Sequence, residues 1–405
     1  MKRKILFLHP RLVIGGAEAV LINYLNLAVK NKSYDIHLVL FESMEKVNLD
    51  KIDPNVKIHF LLTPIETQFS RYCYSSLQDD QQSASEKSYY QHWDYYIDDK
   101  RRERLIDYIN TEKIDVIIDF MNTIPLYLTE AYLDKISQPI LYWIHSDSQF
   151  TTWTKNKDWY RTVLDKVHTS ISICEDMQKK CELVFSHYLG LANGKTAMLF
   201  NPLDKQKIEM LAKSEIDDKD ALLLADDFIL QVARLDEQQK NHLQMIDIYS
   251  KLKKKGIKEK LYIIGDGNED ILREKINQLG LEKDCLLLGS RINPFPFMKQ
   301  AKLFIHTARF EGFGMVLVES MICGTPVVAF NCPTGPREIL ADGKYGGLVP
   351  MGDEEQFAET TYQLLTDNSL YQHYIQLLPE AIDRFSMDNI TKQFVTLIDN
   401  LFSDK

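Results

Sequence analysis

Positive charge is in short supply. The chain sets 48 Lys and Arg against 58 Asp and Glu, a formal net charge of -10 over 405 residues. The deficit is uneven: residues 1–200 hold 24 against 26, and residues 201–405 hold 24 against 32. A chain charged in this way is a poor match for sequence-independent binding of nucleic acid, and none is expected as a partner. The nearly neutral half is better suited to face an anionic membrane or other anionic partner. Cysteine is sparse too. The six (Cys73, Cys174, Cys181, Cys285, Cys323 and Cys332) form no CxxC pair, and no His stands at zinc-ligand spacing from them. Several lie in apolar runs, as reduced thiols of a cytoplasmic protein would. No apolar stretch reaches about 18 residues, so no segment reads as a membrane span. The start, MKRKILFLHPRLVIGG, is basic, but Arg11 ends its short apolar run. It reads as a first strand rather than a signal peptide. No apolar strand ends in an Asp-x-Asp placed to hold a metal, and Asp218-Lys219-Asp220 falls in a charged linker. No metal site is expected.

What remains is ordinary globular material, 45% hydrophobic and 26% charged. At about 150 residues per domain the length fits two or three domains. Short apolar runs alternate with helical stretches. In the first half they are Ile5–His9, Asp35–Phe41, Val56–Leu62, Ile114–Phe120, Ile140–Ile144, Ser170–Ile173 and Ala197–Phe200. In the second they are Phe228–Ala233, Leu261–Ile264, Cys285–Leu288, Leu303–His306 and Val327–Phe330. Runs without polar alternation are strands covered on both faces, so the pattern predicts βαβ units in two doubly wound parallel-sheet domains. The boundary is expected near Pro202-Leu203. Residues 64–104, rich in Ser, Gln, Tyr and charge, read as a surface excursion with helix near its end. Asp388–Phe402 reads as one amphipathic helix.

The most informative stretch is RFEGFGMVLVES, residues 309–320, between the strand LFIHTA and a helix. Gly312 and Gly314 let backbone pass close to a ligand. The helix opens near Gly314, where free N–H groups and the dipole can hold a phosphate. Glu311 stands at its mouth, and Glu319 lies about 7–8 Å along its axis. Two carboxylates flanking an anion site can accept hydroxyl hydrogen bonds on either side of a diphosphate, the layout of a nucleotide-sugar. An idle carboxylate in the apolar MVLVESMI would be costly. Arg234 ends the strand FILQVA and Lys240 precedes the next helix, so the pair could neutralise a leaving diphosphate. Two ordinary surface cations would look the same. Gly15-Gly16 before the first helix lacks the full GxGxxG pattern and suits either close approach of a ligand or a tight turn. His145, in LYWIHSDS, also ends a strand; it is a core or surface His unless Asp147 orients it for chemistry. Gly265, in the turn Gly265-Asp266-Gly267, ends another strand and could border a nucleotide.

Together these stretches resemble a family 4 glycosyltransferase of the GT-B fold. The matches run in order: GGAE at 15–18, HSD at 145–147, FNPLD at 200–204, VARLDEQQKN at 232–241, IIGDG at 263–267, EGFGMVLVE at 311–319, GTPVVAF at 324–330 and GGLVP at 346–350. FSMDNITKQF at 385–394 resembles the family's closing helix; residues 64–104 match nothing in it. The resemblance implies an α/β GT-B architecture, two Rossmann-like domains facing across a cleft. Residues 1–202 would take the acceptor, 203–384 the nucleotide-sugar donor, and 385–405 would return to the first domain. It implies that Arg234 and Lys240 bind the diphosphate, Glu311 holds sugar hydroxyls and Glu319 the ribose. Backbone N–H groups of Phe313, Gly314, Met315 and Val316 would meet phosphates, with Gly312 in the same turn. Ser290 and Arg291 would border the base, and Gly16 and His145 would face the reacting sugar. The family retains anomeric configuration and needs neither metal nor cofactor. The expected reaction moves a hexose or N-acetylhexosamine, UDP-linked donors leading and GDP-mannose behind, to lipopolysaccharide, capsule or a lipid-linked oligosaccharide. The enzyme would be cytoplasmic, with a basic start suited to peripheral contact with the inner membrane face. The aromatic group Tyr89, Tyr90, Trp93, Tyr95 and Tyr96 is suited to stacking on sugars, or to packing a surface subdomain. A nucleotide-sugar epimerase and a non-catalytic transferase-like subunit remain as alternatives.

Overall fold

The computed structural model describes residues 2–13, 15–43, 48–191 and 194–403. The chain divides into two units, residues 1–200 with 391–405, and residues 201–390. The first is built on seven parallel strands: β1 (Arg3–His9), β2 (Tyr34–Leu40), β3 (Lys57–Phe60), β4 (Val116–Asp119), β5 (Ile140–Ile144), β6 (Thr169–Ser172) and β7 (Thr196–Met198). Their order is β3-β2-β1-β4-β5-β6-β7. The second has six: β8 (Phe228–Val232), β9 (Lys260–Ile264), β10 (Cys285–Leu287), β11 (Leu303–His306), β12 (Val327–Asn331) and β13 (Gly347–Pro350), ordered β10-β9-β8-β11-β12-β13. β13 was not anticipated, because four residues led by glycine carry too little apolar pattern.

Both sheets are doubly wound. Helices cover both faces, so central strands such as Ile5–Leu8 and Phe228–Leu230 are wholly buried. In each sheet the strand order reverses once, between β1 and β4 and between β8 and β11. At such a switch point the loops leaving the carboxyl ends of two neighbouring strands run in opposite directions and leave a crevice.

Residues 64–104, read as a surface excursion with helix near its end, are helical through most of their length. They form the helix Pro64–Leu77 and most of the 29-residue helix Ala84–Glu112, which pack on one another. Each opens with a capping box, Thr63 with Glu66 and Ser83 with Glu86. These Ser/Thr-x-x-Glu pairs were legible signals, masked by the polar composition around them. Trp93 packs edge-on against Phe69, Tyr89 and Tyr96, while Tyr89, Tyr95 and Tyr96 keep half or more of their surface exposed. The C-terminal helix runs Met387–Asn400, with Ile390, Phe394 and Ile398 fully buried along one stripe. Phe394 lies against Phe7 and Tyr24 of the first unit. Residues 404–405 of the expected closing segment lie outside the described residues.

Candidate functional site

In the second unit the loops after β8 and β11 bracket the switch point, and hydrogen bonds stitch them together. The Thr307 hydroxyl donates to the carbonyls of Lys240 (3.1 Å) and Asn241 (3.2 Å). The Arg309 N–H donates to the Gln239 carbonyl at 2.8 Å. The β11 loop is also held from the β12 side. The Glu311 N–H donates to the Pro333 carbonyl at 3.3 Å, and the Thr334 hydroxyl donates to the Glu311 carbonyl. Gly335, at φ 98°, lies so close that a Cβ there would sit 1.8 Å from the Phe313 carbonyl oxygen.

This bracing delivers the Glu311 carboxylate to two nitrogens. Lys240 Nζ lies 2.5 Å and His306 Nε2 2.7 Å from Glu311 Oε1. Glu311 is only 7% exposed. Burial alone would lift its pKa, but the hydrogen bond and charge of His306, with Lys240, outweigh it and hold the group down at about 2. Glu311 is therefore a permanent carboxylate. His242 lies behind, fully buried, and burial, then the charges of His306 and Lys240, lower its pKa to about 4. Arg234 is exposed; its guanidinium donates to Gln239 Oε1 at 3.1 Å and has no carboxylate partner among the described residues. One cation is thus fixed on the acid and the other is unneutralised.

The helix after Glu311 runs Met315–Ile322, with Gly314 as its N-cap at φ 91° and no side-chain cap. The first-turn N–H groups of Met315 and Val316 have no intrahelical acceptor. Gly312 and Phe313 complete the turn, and Phe313 is buried. Glu319 is half-buried, and its carboxylate makes no hydrogen bond or ion pair among the described residues. Burial raises its pKa to about 7. The two acids are thus opposites, one pinned as an anion and one poised to gain or lose a proton near neutrality.

Gly265 follows β9, and any Cβ there would lie 1.8 Å from the Ala233 carbonyl, so the two turns must touch. Ser290 is exposed after β10. Arg291 is engaged: its guanidinium forks onto Asp220 at 2.8 and 2.9 Å. Asp220 is not in a linker, as the sequence suggested, but in the helix Asp218–Leu224.

Gly16 and His145 belong to the first unit. Gly16 opens the helix Gly16–Ala28 and is exposed, with open space where a Cβ would go. His145 Nε2 lies 2.7 Å from the Phe120 carbonyl, and burial lowers its pKa to about 4 despite that bond. Asp147 does not orient it; its carboxylate pairs with Lys180. The sequence reading missed His9, at the end of β1, whose ring is buried with both nitrogens unpartnered among the described residues. It also missed His306 and the Thr334-Gly335 turn. The available signals were an imidazole ending an apolar strand and the proline-flanked CPTGP directly after β12.

Residues 212–377 match the family described as glycosyl transferases group 1. An uncharacterized glycosyltransferase of Methanocaldococcus jannaschii is 26% identical over 349 residues, 74% of this chain and 83% of that one. The N-acetylgalactosamine-N,N'-diacetylbacillosaminyl-diphospho-undecaprenol 4-alpha-N-acetylgalactosaminyltransferase of Campylobacter jejuni is 36% identical over 181 residues, 44% of this chain and 47% of that relative. Among solved structures, Anabaena HepE in complex with UDP and glucose superposes with a TM-score of 0.69, at 19% identity over 98% of this chain and 100% of that one.

Proposed function

We propose that this chain, whose residues 212–377 match the group 1 glycosyltransferases, is a glycosyltransferase that moves a hexose or N-acetylhexosamine from a UDP-linked donor to a growing cell-surface or lipid-linked glycan. Retention of anomeric configuration and independence of metal ions are part of the proposal. The observation that carries it is the convergence of Lys240 and His306 on Glu311, beside the unneutralised Arg234 and an uncapped helix start. That set offers two cations and backbone donors to a diphosphate, and a fixed carboxylate to sugar hydroxyls. The UDP and glucose held by HepE and the lipid-diphosphate glycan named for the Campylobacter relative support the donor and acceptor classes.

As the bond from the anomeric carbon to the diphosphate lengthens, negative charge grows on the leaving phosphate. Arg234, Lys240 and the N–H groups of Met315 and Val316 stabilise that charge from fixed positions, without reorganisation at the moment of reaction. Glu311 orients the sugar through its hydroxyls, and its low pKa keeps it an acceptor throughout. Glu319 accepts from the ribose hydroxyls. The acceptor hydroxyl attacks on the face the diphosphate leaves and passes its proton to the leaving phosphate. In the first unit, neutral His145 spends its one N–H on the Phe120 carbonyl, which leaves Nδ1 able only to accept a hydrogen bond.

A thermal-shift screen against UDP, GDP and their sugars tests the donor, because a ligand stabilises the state that binds it. UDP and one UDP-sugar should raise the melting temperature. Transfer to a lipid-linked acceptor, followed by NMR of the new anomeric proton with and without EDTA, tests the rest. No response to any nucleotide, or clean conversion of a UDP-sugar to its isomer without acceptor, would overturn the reading.

A further inference from the structure

A second depression lies wholly within the first unit. The helices Pro64–Leu77 and Ala84–Glu112, with the chain after β2 and the short helix Thr123–Tyr127, enclose about 440 Å³. That falls within the range of about 300–1,000 Å³ usual for small-molecule sites. Its ionic groups are unequally satisfied. Glu42 takes Arg71 at 2.5 Å and the Tyr127 hydroxyl at 3.2 Å. Asp98 takes Arg101 at 2.5 Å and Arg102 at 3.3 Å. Arg101 is 3% exposed, lies over the Tyr127 ring, and leaves its Nε–H buried without an acceptor. The Asp94 carboxylate, one turn before Asp98, makes no hydrogen bond or ion pair among the described residues, although the charges of Arg101 and Arg102 act on it. Arg11, also in the lining, meets Glu42 at 3.4 Å, so the carboxylate left without a partner is that of Asp94. The walls add Tyr74 and Leu126, exposed at 62% and 60%.

An anion is a poor fit, because the lining arginines already face carboxylates and Asp94 would repel it. A cation would meet Asp94 but also the arginines around it. A polyhydroxylated neutral ring fits the open carboxylate and the exposed aromatic and apolar walls. Paired hydroxyls donate to a carboxylate, and the C–H face lies on an aromatic or apolar side chain. Burial, and then the neighbouring Asp98, push the Asp94 carboxyl upward, a strain that hydroxyl donors relieve. We propose that this cavity is a subsite for a neutral pyranose of the acceptor glycan, with Asp94 accepting from its hydroxyls and Tyr74 covering its apolar face. The inference rests on the transferase reading and deepens it: acceptor recognition reaches into the helical insertion, the part of the chain without a counterpart in the family resemblance.

The test uses the full chain and the methyl glycosides of glucose, galactose, N-acetylglucosamine and N-acetylgalactosamine, observed by saturation-transfer NMR. At least one should bind the wild type. Asp94→Ala and Tyr74→Ala should each weaken it by about tenfold or more, the scale of one lost charge-assisted bond or one lost stacking face. Tyr74 is exposed enough for its variant to fold whatever befalls Asp94→Ala. The thermal shift given by UDP should be the same in all three proteins. Absence of binding by every neutral glycoside, undiminished binding in both variants, or binding of glucosamine or glucuronate in place of the neutral sugars would overturn the proposal. Failure of the transferase reading shows itself separately, as loss of the UDP shift in the wild type.

Discussion

Replacing Glu319 by Gln separates a carboxylate that binds ribose from one that is merely buried. Burial takes this group from its ordinary 4.5 to about 7. If ribose hydroxyls donate to it, the ionised form is the one that binds. About a tenth of the free protein is ionised at pH 6 and about nine-tenths at pH 8, so UDP affinity should rise roughly tenfold across that interval, about 1.4 kcal/mol. Binding at pH 7 should release a fraction of a proton, measurable by calorimetry in buffers of different ionisation enthalpy. Glu319→Gln should lose that slope, while titration of the UDP phosphate is common to both proteins and cancels in the comparison. The same group sets a stability profile of defined sign. Between pH 4.5 and about 7 the native state keeps a proton that the unfolded chain has lost. Its stabilising contribution is therefore fully present below pH 4.5 and disappears as pH rises through 7. At about 1.36 kcal/mol per pKa unit the loss is at most about 3 kcal/mol, less for a side chain partly open to solvent. Urea unfolding should show Glu319→Gln gaining on the wild type at pH 8 and not at pH 4.5. A UDP affinity equally steep in both proteins, with equal stability differences at both pH values, would refute the reasoning.

Glu311→Ala and Lys240→Ala should each lower turnover about 10²-fold or more in steady-state kinetics, the scale of a lost transition-state contact; near-normal turnover in both would remove them from the site. His306→Ala should lower kcat about tenfold or more by freeing the Glu311 carboxylate, and His306→Gln, which keeps a donor, should recover part of it. Gly335→Ala combines positive φ with a Cβ 1.8 Å from the Phe313 carbonyl; it should cost about 2 kcal/mol or more in chemical denaturation and weaken UDP binding by displacing the Glu311 loop.

The legible part of the fold is the part written in local pattern. Strands covered on both faces carry unbroken apolar runs, so β1, β5, β8 and β11 stand out whatever surrounds them. The insertion was hidden for the opposite reason: its helices are mostly polar and packed on a narrow face, and only their capping boxes betray them. β13 was too short and too rich in glycine to register.

The site shows the same limit. Sequence alone determined the chemistry available: Glu311 and Glu319 eight residues apart around a glycine-led helix start, with Arg234 and Lys240 after a strand end. Tertiary structure decided what each group is. Lys240 and Glu311 are 71 residues apart in the chain and 2.5 Å apart in space, because β8 and β11 are neighbours at the reversal of strand order. That contact and His306 make Glu311 a fixed anion, while burial without a partner makes Glu319 titratable near neutrality. Likewise Arg291, read from the sequence as a ligand-facing cation, forks onto Asp220. Charge and hydrogen-bonding capacity are properties of a residue; ionisation state and availability depend on which distant groups the fold packs against it, since solvation and Coulomb forces act through space and not along the chain.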